Sequence, residues 1–427
     1  MEVLPNIEKP IETDYLNCIR CGLCLAVCPT YREHLNEISG PRGRVALARK
    51  SLEGELELST NLVEQMNACF ACLACNEICP VGIKPAELTL SMRYVQEQVK
   101  PASWKQRLFR DLISHPVRLE IATLPLRIYE HSGIRKLIYQ LRLTNLLPSQ
   151  VRDMEAMLPH LPQRPLRQVL PERIDAYSKS HLRVGFFLGC AQNLLYAKES
   201  KATVRVLARN GCTVITPKDV QCCGMPARGY GRLDLVRAQA KHNIAAFEKV
   251  DVKVIVTDCA TCGSILKNYG TLLKDDAEWA SRAEVFSSCV RDVSEFLAEI
   301  PLEKPMGKIE ARVTYHDPCH LRRGQKVWQQ PRALLSLING LEYIELPEAD
   351  WCCGSAGSQL ITHYETSTKV MDRKIDNLAS TGAQIIASGC PGCQMQLNTA
   401  VQRRDLDVRV VHPVTLLDEA YEAENAK

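Results

Sequence analysis

The sequence predicts an α/β protein in three parts, a mainly helical N-terminal domain followed by two duplicated α/β domains. Three observations predict it. A four-cysteine run near the N-terminus occurs twice, 51 residues apart. A five-cysteine set occurs twice in the C-terminal part, about 130 residues apart. Within the second duplication, short β-branched runs alternate with longer amphipathic stretches, the pattern of a parallel sheet covered by helices.

The chain has 427 residues, enough for about three domains at roughly 150 residues each. Hydrophobic residues at 46% and charged residues at 24% are ordinary globular values. The mean hydropathy of −0.14 excludes a polytopic membrane protein, and no run of about 18 apolar residues occurs. Lys and Arg number 53 against 49 Asp and Glu, for a net charge of +4; that balance argues against nucleic acid as a partner. The N-terminal ten residues carry acids and prolines without an apolar core, unlike a secretory or transit segment. The expected location is therefore cytoplasmic, a reducing compartment in which the 20 cysteines serve as thiolate ligands or redox groups rather than disulfides.

Residues 1–100 hold the first duplication. Cys18, Cys21, Cys24 and Cys28 precede Pro29, and Cys69, Cys72, Cys75 and Cys79 precede Pro80, both as C-x-x-C-x-x-C-x-x-x-C-P. This is the run of bacterial ferredoxins, in which three close thiolates take one cubane and the fourth reaches the other cluster. Crossing over would place Cys18, Cys21, Cys24 and Cys79 on one [4Fe–4S] centre, and Cys69, Cys72, Cys75 and Cys28 on the second. Zinc also uses C-x-x-C, but four thiolates within eleven residues and a closing proline, twice over, favour iron–sulfur. A two-cluster ferredoxin domain is expected here.

Residues 101–180 read as a helical and proline-rich connecting region. Positions 101–150 carry eight Lys or Arg against three Asp or Glu, interleaved with Leu, Ile, Trp104, Phe109 and Tyr129. Such helices can lie on a membrane or dock a partner, though packing on the chain's own domains is commoner. Pro148, Pro159, Pro162, Pro165 and Pro171 then read as a semi-rigid linker.

The second duplication occupies residues 181–305 and 306–427. Cys190, Cys222, Cys223, Cys259 and Cys262 recur as Cys319, Cys352, Cys353, Cys390 and Cys393, at offsets of 129, 130, 130, 131 and 131. So regular a register means two copies of one supersecondary unit. Val184–Leu188, Val252–Val256, Val313–Tyr315 and Gln384–Ala387 read as buried strands running into cysteines. Ala197–Asn210 and Leu233–Lys249 read as helices between them. Cysteines at carboxyl ends of parallel strands stand where open α/β sheets bind ligands, and a helix N-terminus after each C-x-x-C favours an anionic cluster. Four-coordinate zinc strands one of five cysteines, and a vicinal disulfide leaves the C-x-x-C pairs unexplained; an iron–sulfur centre uses all five.

These motifs resemble the iron–sulfur subunit of glycolate oxidase and its relatives, the lactate-utilisation iron–sulfur proteins and the catalytic subunit of heterodisulfide reductase. Asp14-Tyr-Leu-Asn-Cys-Ile-Arg-Cys-Gly-Leu-Cys, Gly40-Pro-Arg-Gly-Arg44, Phe187-Leu-Gly-Cys-Ala-Gln, Tyr315-His-Asp-Pro-Cys-His320 and Cys352-Cys-Gly-Ser-Ala-Gly carry the likeness. It implies two duplicated CCG domains, cubane ligands at the eight ferredoxin cysteines and cluster ligands at the ten CCG cysteines. One departure bears on substrate. Glycolate-oxidase-type members often lack a cysteine of the C-x-x-C pairs, whereas both pairs are complete here, as in heterodisulfide reductase with its non-cubane [4Fe–4S] clusters. The resemblance implies an electron-transfer subunit whose FAD-containing partner oxidises glycolate or D-lactate, electrons passing to a quinone, cytochrome or other acceptor at the inner face of the membrane. The alternative it implies is a disulfide reductase acting at the CCG centres. No P-loop or G-x-G-x-x-G appears, so flavin belongs to another subunit.

Four residues carry less. Cys212 and Cys289 have no counterpart in the repeat and read as buried hydrophobes. His316 and His320 flank Cys319; His316-Asp317 could donate to cluster sulfurs, pass protons or cap the turn.

Overall fold

Prolines and capping residues start and stop helices at short intervals around the two cysteine runs, and the N-terminal region is accordingly helical. The computed structural model describes residues 10–101, 103–141, 143, 155, 161–179, 182–357 and 359–424. Pro29, Pro41 and Pro85 each open a helix, Pro29–His34, Pro41–Leu52 and Pro85–Val99, at the position where a missing N–H costs nothing. Ser59 caps Thr60–Asn67 by accepting from the Leu62 N–H. These helices close on a core of Val45, Ala48, Leu62, Met66, Leu88 and Met92.

Helices Trp104–Ser114, Pro116–Ala122, Leu124–His131 and Ile134–Gln140 follow. Pro116–Ala122 and Leu124–His131 depart from the expected packing. Glu120 and Arg127 face inward and are buried, while Val117, Ile121, Leu124 and Ile128 are at least half exposed. At steps of four, three and four residues these four form one stripe. The inversion has a cause in hydrogen bonding: Glu120 accepts from Arg167 Nη2 (2.6 Å), Asn193 Nδ2 (2.7 Å) and Gln168 Nε2 (3.3 Å).

Of the proline-rich stretch, Pro148 and Pro159 lie outside the described residues. The part from 161 onward is docked, with Leu161, Leu166 and Leu170 buried. Beyond it β1 (Arg173–Ile174) already belongs to the first sheet, pairing antiparallel with β3.

The first sheet has the order β1-β3-β2-β4-β5, with β2 Leu182–Phe186, β3 Cys212–Ile215, β4 Val254–Thr257 and β5 Val290–Asp292. The second has β7-β6-β8-β9, with β6 Lys308–Tyr315, β7 Asn339–Tyr343, β8 Ile385–Ala387 and β9 Arg409–Val411. β2 to β5 and β6 to β9 run parallel in the same relative order. Helices Ala197–Arg209 and Leu233–Glu248 end within one residue of the sequence reading. The first strand of each unit lies between its second and third, so the chain switches direction beside it, and clefts form at such points.

The two units share a core. Phe186, Leu207 and Phe296 of the first pack with Tyr315, Leu335 and Leu417 of the second. Ala197–Arg209 packs on the last helix of the second unit, Pro413–Glu422, and Val293–Glu299, the last of the first, on Gln329–Ser336. That reciprocity is an approximate two-fold relation between duplicated units. No helix among the described residues is long and apolar enough to cross a membrane.

Candidate iron–sulfur centres

Each four-cysteine run turns back on itself through left-handed backbone at matching positions. Arg20 (φ 57°) and Gly22 (φ 86°) in the first run correspond to Ala71 (φ 50°) and Leu73 (φ 64°) in the second. Side-chain-bearing residues occupy this region at a cost, and here the turns converge three thiols on one point. Cys69, Cys72 and Cys75 line one cavity together with Cys28. Cys18, Cys21 and Cys24 line a second together with Cys79. Pro85 borders both. The inner cavity is the drier: Cys28, Cys72 and Cys75 are buried, whereas Cys21 is exposed.

Each CCG cysteine set is gathered by three strand ends. Cys190 and Cys319 follow β2 and β6, the Cys-Cys pairs follow β3 and β7, and the C-x-x-C pairs follow β4 and β8. The glycine of the motif has a steric reason. Gly224 (φ 96°) and Gly354 (φ 79°) are left-handed, and a Cβ on Gly354 would stand 2.5 Å from the Ser367 carbonyl oxygen. The C-x-x-C pairs open helices Ala260–Leu266 and Pro391–Arg403, with Cys259 and Cys390 as N-caps; Cys259 Sγ accepts from the Cys262 N–H at 3.4 Å. The peptide dipoles thus point at the thiols.

In the first unit Cys222 hydrogen-bonds Cys190 and Cys223, and Cys223 bonds Cys262. Hydrogen bonds from Cys222 and Cys262 pull the Cys223 thiol down to about 6. In the second unit Cys353 Sγ lies 3.1 Å from Cys393 Sγ; bonds from Cys352 and Cys393 hold Cys353 well below the usual thiol range. Buried His316 joins Cys353 and Cys393 with all three ligand atoms within 4.8 Å, and its hydrogen bond to Cys353 also lowers that thiol. Sequence reasoning singled out His316 by its place beside Cys319, and the structure puts it instead against the third and fifth cysteines of the set, Cys353 and Cys393. His320 is half-buried, and desolvation lowers its tendency to take a proton.

The thiol groups abut one another. Cys72 of the inner ferredoxin cavity hydrogen-bonds Cys352, which lowers it to about 6. Cys259 and Cys390 hydrogen-bond across the seam between the units, where the Ala260 N–H donates to the Gly389 carbonyl at 3.0 Å. The outer and inner cavities share Pro85, the inner cavity meets the second unit at Cys72–Cys352, and the second unit meets the first at Cys259–Cys390, so the four groups adjoin in succession. Cys212 is a buried core residue pushed up to about 11 by burial, and Cys289 ends helix Ala280–Cys289; neither enters these groups. Eighteen converging sulfur donors are a soft-ligand set suited to thiophilic iron centres.

A helical twin-run domain joined to two CCG units defines an iron–sulfur oxidoreductase subunit. The chain belongs to the family of glycolate oxidase iron–sulfur subunits. Residues 14–83 match the 4Fe-4S dicluster domain, 184–267 and 313–398 the cysteine-rich domain, and 100–158 the linker region of the glycolate oxidase iron-sulfur subunit. A probable glycolate oxidase iron-sulfur subunit of Bacillus subtilis is 35% identical over 97% of this chain and 95% of its own length. The glycolate oxidase iron-sulfur subunit of Escherichia coli is 30% identical over 99% of this chain and 98% of its own length. Lactate utilization protein A of Geobacillus is 31% identical over 56% of this chain and 99% of its own length.

Proposed function

We propose that this chain is the electron-transfer subunit of a flavin-dependent glycolate or D-lactate dehydrogenase, holding four four-iron centres. The observation that carries the reading is the succession of adjoining thiol groups, from the outer cavity with exposed Cys21 through the inner cavity and the second CCG unit to the first. Cys18, Cys21, Cys24 and Cys79 would hold one [4Fe–4S] cubane, and Cys69, Cys72, Cys75 and Cys28 the other. The two five-cysteine sets would hold non-cubane clusters. When bound, these centres supply one-electron carriers, so an electron pair from a flavin can leave singly.

The chain's own residues gather the thiols, exclude water and set the charge around them. FAD resides on the partner, since this chain has no nucleotide-binding fingerprint. A quinone, cytochrome or other acceptor takes the electrons. Association with an anionic lipid surface is supported by the exposed Val117–Ile128 stripe, exposed Arg107, Arg118 and Lys136 nearby, and the eight-to-three basic excess over 101–150. The disulfide-reductase alternative rests on the complete cysteine sets alone.

The test is copurification of the tagged chain from its host without oxygen, then exposure of the complex to glycolate, D-lactate and a thiol disulfide in turn. About 16 irons per chain at four per centre, little zinc, and flavin-dependent bleaching by a hydroxy acid are expected. Reoxidation of pre-reduced protein by the disulfide, with no response to either hydroxy acid, overturns the reading.

A further inference from the structure

Two arginines of the ferredoxin domain are buried away from any carboxylate. Arg44, 2% exposed, donates from Nε to the Gln65 carbonyl at 2.9 Å and from both Nη atoms to Thr30 Oγ1 at 3.2 Å. Arg93, 6% exposed, gives its hydrogen bonds to the carbonyls of Met66, Asn67, Cys69 and Gly229. Among the described residues no Asp or Glu pairs with either. A guanidinium cannot shed its proton, and taken out of water it needs an anion nearby. Carbonyl dipoles and a hydroxyl solvate the charge without neutralising it.

The position of these cations is one-sided. Arg44 lines the inner cavity with Cys28, Cys69, Cys72 and Cys75, and the Thr30 hydroxyl it holds stands 3.2 Å from Cys28 Sγ. Arg93 grips the carbonyl of Cys69 itself, at 2.6 Å. The outer cavity has no such charge. Arg42 lines it, but is chelated by Glu37 at 2.6 and 2.9 Å with its side chain 31% exposed, and Arg20 is open to solvent. Arg323, on the far side of Cys72, is met by Glu77 and Asp350. The uncompensated positive charge of the domain is thus concentrated around one of its two cavities.

We propose that Arg44 and Arg93 hold the centre bound at the inner cavity at a higher reduction potential than the one at the outer cavity, so that an electron in the ferredoxin domain settles beside the Cys72–Cys352 contact. This rests on the ligand assignment given above. Burial alone acts the other way, because the reduced form carries the larger negative charge and a dry site disfavours it. The unscreened cations outweigh it: at an effective dielectric near 20, each Coulomb interaction is roughly four times its value in bulk water. Paired or exposed arginines at the outer cavity are screened and offset little. The exchange between the cavities moves one electron, makes no bond and moves no proton; the reductant is the flavin of the partner, or dithionite in the test.

The two arginines also clamp backbone, so the test reads a potential, which clamping alone would not move selectively. The anoxic holoprotein is titrated with dithionite under paramagnetic resonance, and the two cubane signals are assigned with Cys28→Ser and Cys79→Ser. The signal tied to Cys28 is expected to appear first. Arg44→Gln and Arg93→Gln shift its midpoint down and leave the other in place, and Arg44→Lys returns it toward the wild-type value. The proposal is overturned if the Cys79 signal appears first in the wild type, or if fully iron-loaded arginine variants keep both midpoints. An arginine variant that fails to load leaves the wild-type order to decide. A wild-type protein with zinc and no cubane signal would overturn the ligand assignment itself and this inference with it.

Discussion

Replacing Asp317 by Asn should destabilise the CCG half of the molecule by several kcal/mol. Asp317 is 1% exposed. Its Oδ1 accepts from Arg332 Nη1 at 2.7 Å, and its Oδ2 from Arg332 Nη2 at 3.0 Å and Arg322 Nη1 at 2.8 Å. Asparagine keeps the shape, removes the charge and turns an NH2 donor toward guanidinium donors. Removing one member of a buried ion pair costs about 3–5 kcal/mol because the other charge is left uncompensated. Here both arginines reach solvent in part, and Arg332 keeps Glu345 at 2.6 Å, so the low end applies, about 3 kcal/mol. At roughly 2–4 °C per kcal/mol for a unit of this size, Tm falls by about 6–12 °C. The assay is anoxic scanning calorimetry of the loaded protein. Arg332→Gln combined with Asp317→Asn should cost less than the sum of the two single changes, since each removes the same contact. A Tm within about 2 °C of wild type for Asp317→Asn would refute the argument, since a loss of about 3 kcal/mol cannot leave Tm in place.

Three further outcomes are expected. Cys79→Ser should remove about four irons, those held chiefly by the first run, and Cys28→Ser about four held by the second; Mössbauer spectra showing each change confined to its own run would count against shared cavities. Asp292, pushed up to about 7 by burial, has a folded value above its unfolded one, so its contribution to stability is fully present below about pH 4 and is lost as pH rises through 7. Asp292→Asn should therefore flatten the stability profile between pH 4.5 and 7.5, and denaturant titrations showing the wild-type slope in the variant would sink the assignment. Ile121→Ser with Ile128→Ser should reduce flotation with anionic phosphatidylglycerol vesicles several-fold, and equal flotation by the double variant would discard the lipid surface as the occupant of that stripe.

Where periodicity was strong, the sequence read the fold closely. Ala197–Arg209 and Leu233–Glu248 carry helical stripes long enough to set their own ends, and β2, β4, β6 and β8 are short apolar runs fixed by the cysteines that follow them. Two residues of β1 hold no period at all, and only pairing with β3 makes them a strand. The stripe at Val117, Ile121, Leu124 and Ile128 has the spacing of a core face, and it faces outward because Glu120 finds Arg167 and Asn193, residues 47 and 73 positions away. Spacing forces three thiols of each ferredoxin run together. It says nothing of Cys72 meeting Cys352 or of Arg44 lying dry beneath Cys28, since both are set by the packing of one domain on another or of one helix on a turn.

The duplication copies the cysteines and not their surroundings. At the position of His316 the first unit has Phe187, and at that of Asp317 it has Leu188. Phe187 stacks on Phe247, which meets Phe286 and through it Tyr269, so an aromatic wall backs the first cysteine set. The second set is surrounded instead by His316, Arg323 and Lys374, the last buried and lowered to about 8 by that burial. An apolar wall resists added negative charge, and nearby cations favour it. The thiols of the second unit meet the ferredoxin domain at Cys72, while those of the first meet the second unit's at the Cys259–Cys390 seam. Two copies of one ligand set thus stand in unlike electrostatic settings at successive points of one series of adjoining thiol groups, which is how a duplicated motif can provide two different steps for an electron.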